Sequence, residues 1–328
     1  NVVFGGAALY ALSAFVAWMS NSLEVMLVAR LFQGLGASGP RVVAVAIIRD
    51  LYAGREMARI MSVVMMVFAL VPALAPMLGA GIIAAAGWRA IFIAFMGFSI
   101  ITVIWMGLRL PETLPPEKRR PLRARLIIEA VRELIGPRTV RLSILVQSLA
   151  LAMLFSMLML VQPVYDEVYG RGHSFPFWFG AIAVVAASAS LINALLVVRY
   201  GMRRLVTLAL GVQIGLSGTM YFANLGALPD PWGFYAFVFF QTCLFFQAGL
   251  TLGNLNAIAM EPMGHIAGMA ASVIGAISTV LAAAIAAPVG LLFDGSLMPL
   301  GAGLLTMAAL GFLLMLQMAR ADERLPAE

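Results

Sequence analysis

The chain has 328 residues, of which 62% are hydrophobic and only 11% charged, and its mean hydropathy is +0.99. Soluble domains carry about 25% charged residues, so the composition describes a polytopic membrane protein and excludes a soluble enzyme. The net charge of +6 leaves nucleic acid open until the charges are placed, whereas one cysteine, Cys243, and two distant histidines, His173 and His265, offer neither an internal disulfide nor a metal site.

A membrane helix needs about 20 mostly apolar residues. Ten such runs are expected, at 2–19, 23–48, 58–86, 89–108, 141–165, 175–198, 204–223, 232–258, 266–292 and 297–318. The first, NVVFGGAALYALSAFVAWM, follows no basic segment and no initiator Met, so Asn1 is expected to be a cut and not a natural start.

The second run carries Arg30 and Arg41 within apolar sequence. Arg30 lies two helical turns in, too deep to snorkel easily, and must face a bundle interior, a cavity or a buried partner. It is either a proton-coupling or substrate-orienting charge or a structural arginine bonded to neighbouring carbonyls. Gln33, at i+3, shares its face. Gly34 and Gly36 provide the small surface that close helix packing requires. Arg41 is expected to snorkel to headgroups. Asp50 ends the run beside Arg49, Arg55 and Arg59, and Asp50 with Arg59 is expected to form a conformational latch between helices.

The third run contains Pro72 and Pro76, four residues apart and therefore on one face, followed by Gly79 and Gly81. Each proline removes a backbone donor and bends the helix. The glycines let a partner helix approach. The group reads as a gating or sealing element, with a tolerated kink as the plain alternative.

The connection from Arg109 to Arg141 is long and polar and holds five prolines. It divides the chain into an incomplete four-helix bundle at 1–108, a loop at 109–140 and a six-helix bundle at 141–328. Within it Leu122, Leu126, Val131, Leu134 and Ile135 fall at helical spacing. They suggest either an amphipathic helix at the membrane surface or an ordinary linker.

The second half has no charge inside its helices. Its buried amides need partners. Many will bond neighbouring helices, and Gln147, Asn193, Gln241 and Gln247 are the candidates to face a substrate. No Asp or Glu falls at mid-membrane depth in any run, so a proton-carrying acid lies elsewhere or the substrate is neutral or anionic.

Seventeen of the 21 basic residues, from Arg49 to Arg324, fall on one side of the membrane, and only Arg89 and Arg171 on the other. The positive-inside rule makes the first side cytoplasmic, which accounts for the charge and removes the nucleic-acid reading. A weak internal repeat pairs Asp50 and Ser62 with Glu261 and Ser272, about 210 residues on. A repeat of six helices then expects two more before residue 1, with a basic glycine turn like RYGMRRL at 199–205 leading into the first run.

These features resemble the major facilitator superfamily, and within it the twelve-helix drug:proton antiporters. Arg30-Leu-Phe-Gln33-Gly34-Leu-Gly36-Ala resembles the R-x-x-Q-G-x-G-A motif of the family's fourth helix. Pro72-Ala-Leu-Ala-Pro76-Met-Leu-Gly79-Ala resembles the antiporter motif of its fifth helix, departing from it at Val71–Pro72 and Ala80. Ile47 to Ser62, GWRAIF and LPETL resemble the bicyclomycin/chloramphenicol-resistance (Bcr/CflA-type) branch. The resemblance runs from the family's third helix to its twelfth, lacking the first two.

The resemblance implies an all-α polytopic membrane fold of major facilitator type, with ten of twelve transmembrane helices present. It implies proton-coupled efflux of small amphipathic compounds by alternating access, with Arg30 in proton coupling and Pro76–Gly79 sealing helix five against helix eight. The partners implied are a small-molecule substrate, protons and the lipid bilayer, without nucleic acid or cofactor, for a monomer in the bacterial inner membrane with its C-terminus cytoplasmic. The alternatives are a metabolite exporter or importer of the same superfamily, or a non-functional truncated fragment. A membrane-embedded enzyme would need a catalytic constellation at one depth, and the intramembrane residues supply none.

Overall fold

The computed structural model describes residues 2–52, 54–110, 131–224 and 227–322. Its long helices are α1 (Val2–Met19), α2 (Leu23–Leu51), α3 (Gly54–Ala86), α4 (Ala90–Arg109), α5 (Arg138–Pro163), α6 (Phe175–Tyr200), α7 (Met202–Phe222), α8 (Trp232–Met260), α9 (Ala267–Leu291) and α10 (Met298–Asp322). The architecture is all-α, and no strand occurs among the described residues.

Eight of these helices, α1 and α4 to α10, are long and apolar enough to cross a membrane, and within α3 the apolar stretch Leu74–Ala86 is shorter. Both α2 and α3 outrun their apolar segments, ending at Leu51 and starting at Gly54. A hydrogen-bonded ladder does not stop where hydrocarbon stops, and a helix satisfies its own backbone on either side of that boundary.

The chain forms two compact units, Asn1–Leu122 and Arg123–Glu328. In the first, α1 packs along α2 and α4, while α3 meets α2 and α4 far more sparsely. The α1–α2 crossing is built on glycine. A Cβ added to Gly36 would stand 2.6 Å from the Gly6 carbonyl oxygen and 2.7 Å from the Tyr10 nitrogen. Only hydrogen at that position lets the backbones come so close. Gly34 differs from its expectation, for a Cβ there would meet nothing within 4 Å. Residues two apart on a helix point about 200° away from each other, so only one of the pair can face α1.

The second unit is organised around α5, which packs on α8, α9 and α10. Its span is 67% buried. Its buried side chains are mostly apolar, with Ser143, Gln147, Ser148 and Ser156 among them. Val146, Met153, Met157 and Tyr165 enter one core with Leu210, Phe237, Leu244 and Leu304. The Ser143 hydroxyl donates to the Leu255 carbonyl at 2.8 Å, tying α5 to α8. Pro163 cannot donate to the ladder, and α5 passes there into a π turn at Val164–Val168. α6 leans on α8, and α7 lies between α8 and α10. The α6–α7 reversal needs only Gly201, whose φ of +77° is open to glycine at no steric cost.

The polar connection differs from an amphipathic helix lying on a membrane at its described end. Residues 131–135 are helical, and Leu134 is 1% exposed, packed with Val140, Ile144, Ala259 and Ile274 of the second unit. Leu122 and Leu126 lie outside the described residues.

Gly36→Val should lower the thermal stability of the purified protein by about 1–3 kcal/mol through overpacking. Gly34→Ala should leave it unchanged or raise it by up to about 1 kcal/mol, since alanine is the better helix former. Thermal unfolding of the two variants in detergent checks the contrast, and equal effects would contradict the assigned crossing.

Candidate functional site

In the first unit the sequence spacing brings Arg30 and Gln33 together. The Arg30 guanidinium donates to the Gln33 amide oxygen at 2.7 Å. Arg30 is exposed at the surface of the unit, whereas Gln33 is 2% exposed. The other end of the amide, Nε2, is buried with no partner among the described residues. The carbonyl thus anchors the cation, and one donor stays unspent beneath it.

On α3, Pro76 is half-buried and Arg59 exposed. A Cβ built on Gly79 or Gly81 would meet no atom of this unit within 4 Å. The close helix approach expected at these glycines is therefore not made within the first unit, where it falls instead at Gly36 and Gly6. The side chains of Asp50, Pro72 and Arg41 lie outside the described residues, so the latch of Asp50 with Arg59 is not among the described contacts.

In the second unit, Gln241 of α8 is fully buried, and its amide oxygen accepts a hydrogen bond from the Tyr165 hydroxyl at 3.1 Å. The Tyr165 ring is held edge-on by Phe175, Phe234 and Phe237, with centroids 5.6, 5.3 and 5.9 Å away. The Gln241 Nε2 has no partner among the described residues. Gln147, on α5, is 8% exposed and leaves its amide oxygen unpartnered. Asn193 is taken up by structure, since the Asn254 amide donates to its oxygen at 2.7 Å and joins α8 to α6.

Gln247 lies elsewhere. It lines a groove between α7 and α8 together with Gln213. Among the four amides proposed from sequence, Gln147 and Gln241 keep unpaired polar atoms inside the α5–α8 region. Tyr165, whose hydroxyl sets the orientation of Gln241, is not one of the four residues that the sequence put forward to face a substrate. The signal available was its place two residues after Pro163, at the end of the apolar run.

The arginine-poor end of each unit is pinned. Arg171 grips both oxygens of Asp230 at 2.9 and 2.8 Å and lies 4.4 Å over the Phe234 ring. Beside it the Tyr169 hydroxyl donates to the Gly233 carbonyl at 3.0 Å. Burial pushes the Tyr169 phenol up to about 12, so it remains a donor across the physiological range. In the first unit Arg89 donates to the Asn21 side chain at 2.8 Å and to the Ser20 carbonyl at 3.3 Å. It fastens the α3–α4 turn to the α1–α2 turn. Among the described residues, no three His, Cys, Asp or Glu gather as metal ligands.

A family model described as Major Facilitator Superfamily matches residues 1–288. The chain is 27% identical over 316 residues to the MFS-type transporter YdgK of Bacillus subtilis, covering 93% of this chain and 75% of that one. It is 28% identical over 277 residues to a bicyclomycin resistance protein homolog of Haemophilus influenzae, covering 84% and 69%. A bacterial homologue of the iron transporter ferroportin, solved in an inward-facing state, shares the fold with a TM-score of 0.69 at 15% identity, over 97% of this chain and 82% of that one.

Tyr165→Phe keeps the aromatic packing and removes the one hydroxyl that Gln241 is bonded to. It should lower stability by about 1–3 kcal/mol, the cost of a buried amide left unpaired. Thermal unfolding in detergent reads this, and an unchanged midpoint would mean that Gln241 is satisfied by another group.

Proposed function

The chain belongs to the Major Facilitator Superfamily, and from that premise we propose that it exports small amphipathic compounds in exchange for protons by alternating access. Membership makes it a multi-pass membrane transporter and not an enzyme. The observation that carries the finer reading is the Arg30–Gln33 pair, a permanent cation fixed within an apolar helix.

Arg30 enters this reading as a fixed positive charge and not as the proton carrier. Its part is electrostatic. It favours the deprotonated form of any acid that comes within reach and opposes a bound cation, and Gln33 holds it at one height in the helix. Charges at such depth are costly unless a function keeps them. In this reading a substrate cavity in the second unit would draw an acceptor from the unpaired Gln147 oxygen and a donor from Gln241 Nε2, among apolar walls. Pockets of that composition suit amphipathic compounds, with few polar groups setting orientation. Asn193 and Gln247 are secondary to them in this reading, the first spent on Asn254 and the second turned to the α7–α8 groove.

The four-helix and six-helix bundles would move about such a site as a monomer in the bacterial inner membrane, with the arginine-rich side and the C-terminus cytoplasmic. Pro72, Pro76, Gly79 and Gly81 would form the sealing face of α3, and Asp50 with Arg59 the latch. The relative that bears the name of bicyclomycin resistance supports drug export over other cargo.

Arg30→Ala in the intact protein should abolish energised efflux of an amphipathic dye from cells, by at least about tenfold, while leaving its abundance in the membrane unchanged. Gln33→Leu should weaken efflux in the same direction, because it frees the guanidinium. Retained efflux in Arg30→Ala, with wild-type abundance, would overturn the coupling role.

A further inference from the structure

The turn between α6 and α7 carries three arginines and is followed directly along the chain by a groove. α6 ends at Arg199 and Tyr200, Gly201 reverses the chain, and α7 opens on Met202, Arg203 and Arg204. Arg199 and Arg204 are exposed and Arg203 is half-buried. One residue further on, at Leu205, a groove of about 330 Å³ begins between α7 and α8. Leu208, Val212 and Leu216 form one wall and Phe246 and Leu250 the other, with Cys243 between them. Its outer edge is open, for Leu208 and Val212 are 60% and 63% exposed.

Two amides contribute to the lining without offering a polar atom to an occupant. Gln213 and Gln247 are 0% and 4% exposed. Their Nε2 groups donate within their own helices, to Ser217 at 3.0 Å and Thr251 at 3.2 Å, and their oxygens are closed off from the surface. The groove therefore presents hydrocarbon along its length, and the charge lies in the turn that precedes it along the chain. From Leu205 to Leu216 it runs about 16 Å along α7 at 1.5 Å per residue. That is one leaflet of a hydrocarbon core about 30 Å thick.

We propose that the groove is a site for an anionic phospholipid of the arginine-rich leaflet. One acyl chain lies between α7 and α8, and the lipid phosphate is held by Arg204, one turn before Leu208, with Arg199 adding its charge. A guanidinium suits phosphate because its donors match two oxygens at once. A free phosphate would use the arginines and leave the apolar walls empty. A zwitterionic lipid would fill the walls and draw less on the arginines, so the arginines set the preference among lipids. Each arginine near the headgroup plane is worth about fivefold in affinity for an anionic lipid. The site serves the second unit whatever the chain transports, and its test does not depend on transport.

The test uses the intact protein in detergent, with dioleoyl phosphatidylglycerol, dioleoyl phosphatidylcholine and inorganic phosphate as probes. Binding is read by native mass spectrometry. Occupancy of the groove is read by the rate at which monobromobimane modifies Cys243, the one cysteine in the chain. Phosphatidylglycerol should bind at least about fivefold more tightly than phosphatidylcholine and should slow the modification of Cys243. Arg204→Gln should cut the phosphatidylglycerol affinity about fivefold and leave phosphatidylcholine unchanged. Val212→Trp, which fills the groove from its exposed edge, should weaken both lipids. Equal affinity for the two lipids would overturn the proposal, as would an unchanged Cys243 rate with phosphatidylglycerol bound. Equal protection by inorganic phosphate would also overturn it, by assigning the arginines to a soluble anion. Should Val212→Trp fail to fold, the lipid comparison and the labelling of the unaltered protein decide the matter.

Discussion

A polar group carried into these helices has to find its partner on the protein, because hydrocarbon supplies none. Hydroxyls meet the demand locally. Ser13, Ser148, Ser156, Thr207, Thr219 and Thr242 each donate to the carbonyl four residues back in their own helix. Such a bond needs no neighbour, and it tells nothing of how helices are arranged. An amide cannot be satisfied so easily, with two donor hydrogens and two lone pairs on one side chain. Gln33, Gln147, Gln213, Gln241 and Gln247 each keep one buried atom without a partner among the described residues. A dry, unpaired polar atom costs about 1–3 kcal/mol, and apart from the Ser278 hydroxyl the side-chain atoms left so among the described residues are all on glutamines.

That division explains which parts of the structure were legible in the sequence. The helices were, because the demand for about 20 apolar residues is set by the membrane and not by the tertiary fold. The run at 2–19 is the helix Val2–Met19, and that at 232–258 lies within Trp232–Met260. The Arg30–Gln33 bond was legible too, since three residues along a helix return to the same face. What spacing could not tell was which face meets which helix. A membrane helix is mostly apolar on every face, so no period marks its buried side. Gln241 finds Tyr165 76 residues away, a pairing that no local pattern announces. Gly34 and Gly36 look equivalent in the motif, yet one opens on space and the other bears the crossing with α1.

The repeat gains a physical content from the two units. Arg30 stands twenty residues before Asp50, and Gln241 stands twenty before Glu261. At matched depth one helix therefore carries a fixed charge held by an amide, and the other a neutral amide held by a phenol. A charge responds to a proton arriving nearby, whereas an amide in an aromatic frame responds to the shape and donors of a solute. In the transport reading, the coupling chemistry then belongs to the first unit and recognition to the second.

The last constraint concerns how firmly each helix is held. α5 is enclosed, and the arginine-poor ends are clasped by Arg89 and Arg171. On α3 no such clasp occurs among the described residues. Val67, Val71, Leu74, Met77 and Leu78 on it are 49%, 55%, 42%, 49% and 64% exposed. Gly79 and Gly81 meet no atom of that unit. Pro76 removes a ladder hydrogen bond in the same stretch, which lowers the cost of bending there. A bend in a packed helix would have to reopen its neighbours, at the cavity cost of a close-packed interior. Neither the Gly6–Gly36 crossing nor the Arg30–Gln33 bond involves a residue of α3. Pro76, Gly79 and Gly81 thus share a stretch of α3 whose large side chains are exposed on the unit, where a bend displaces few packed neighbours of that unit.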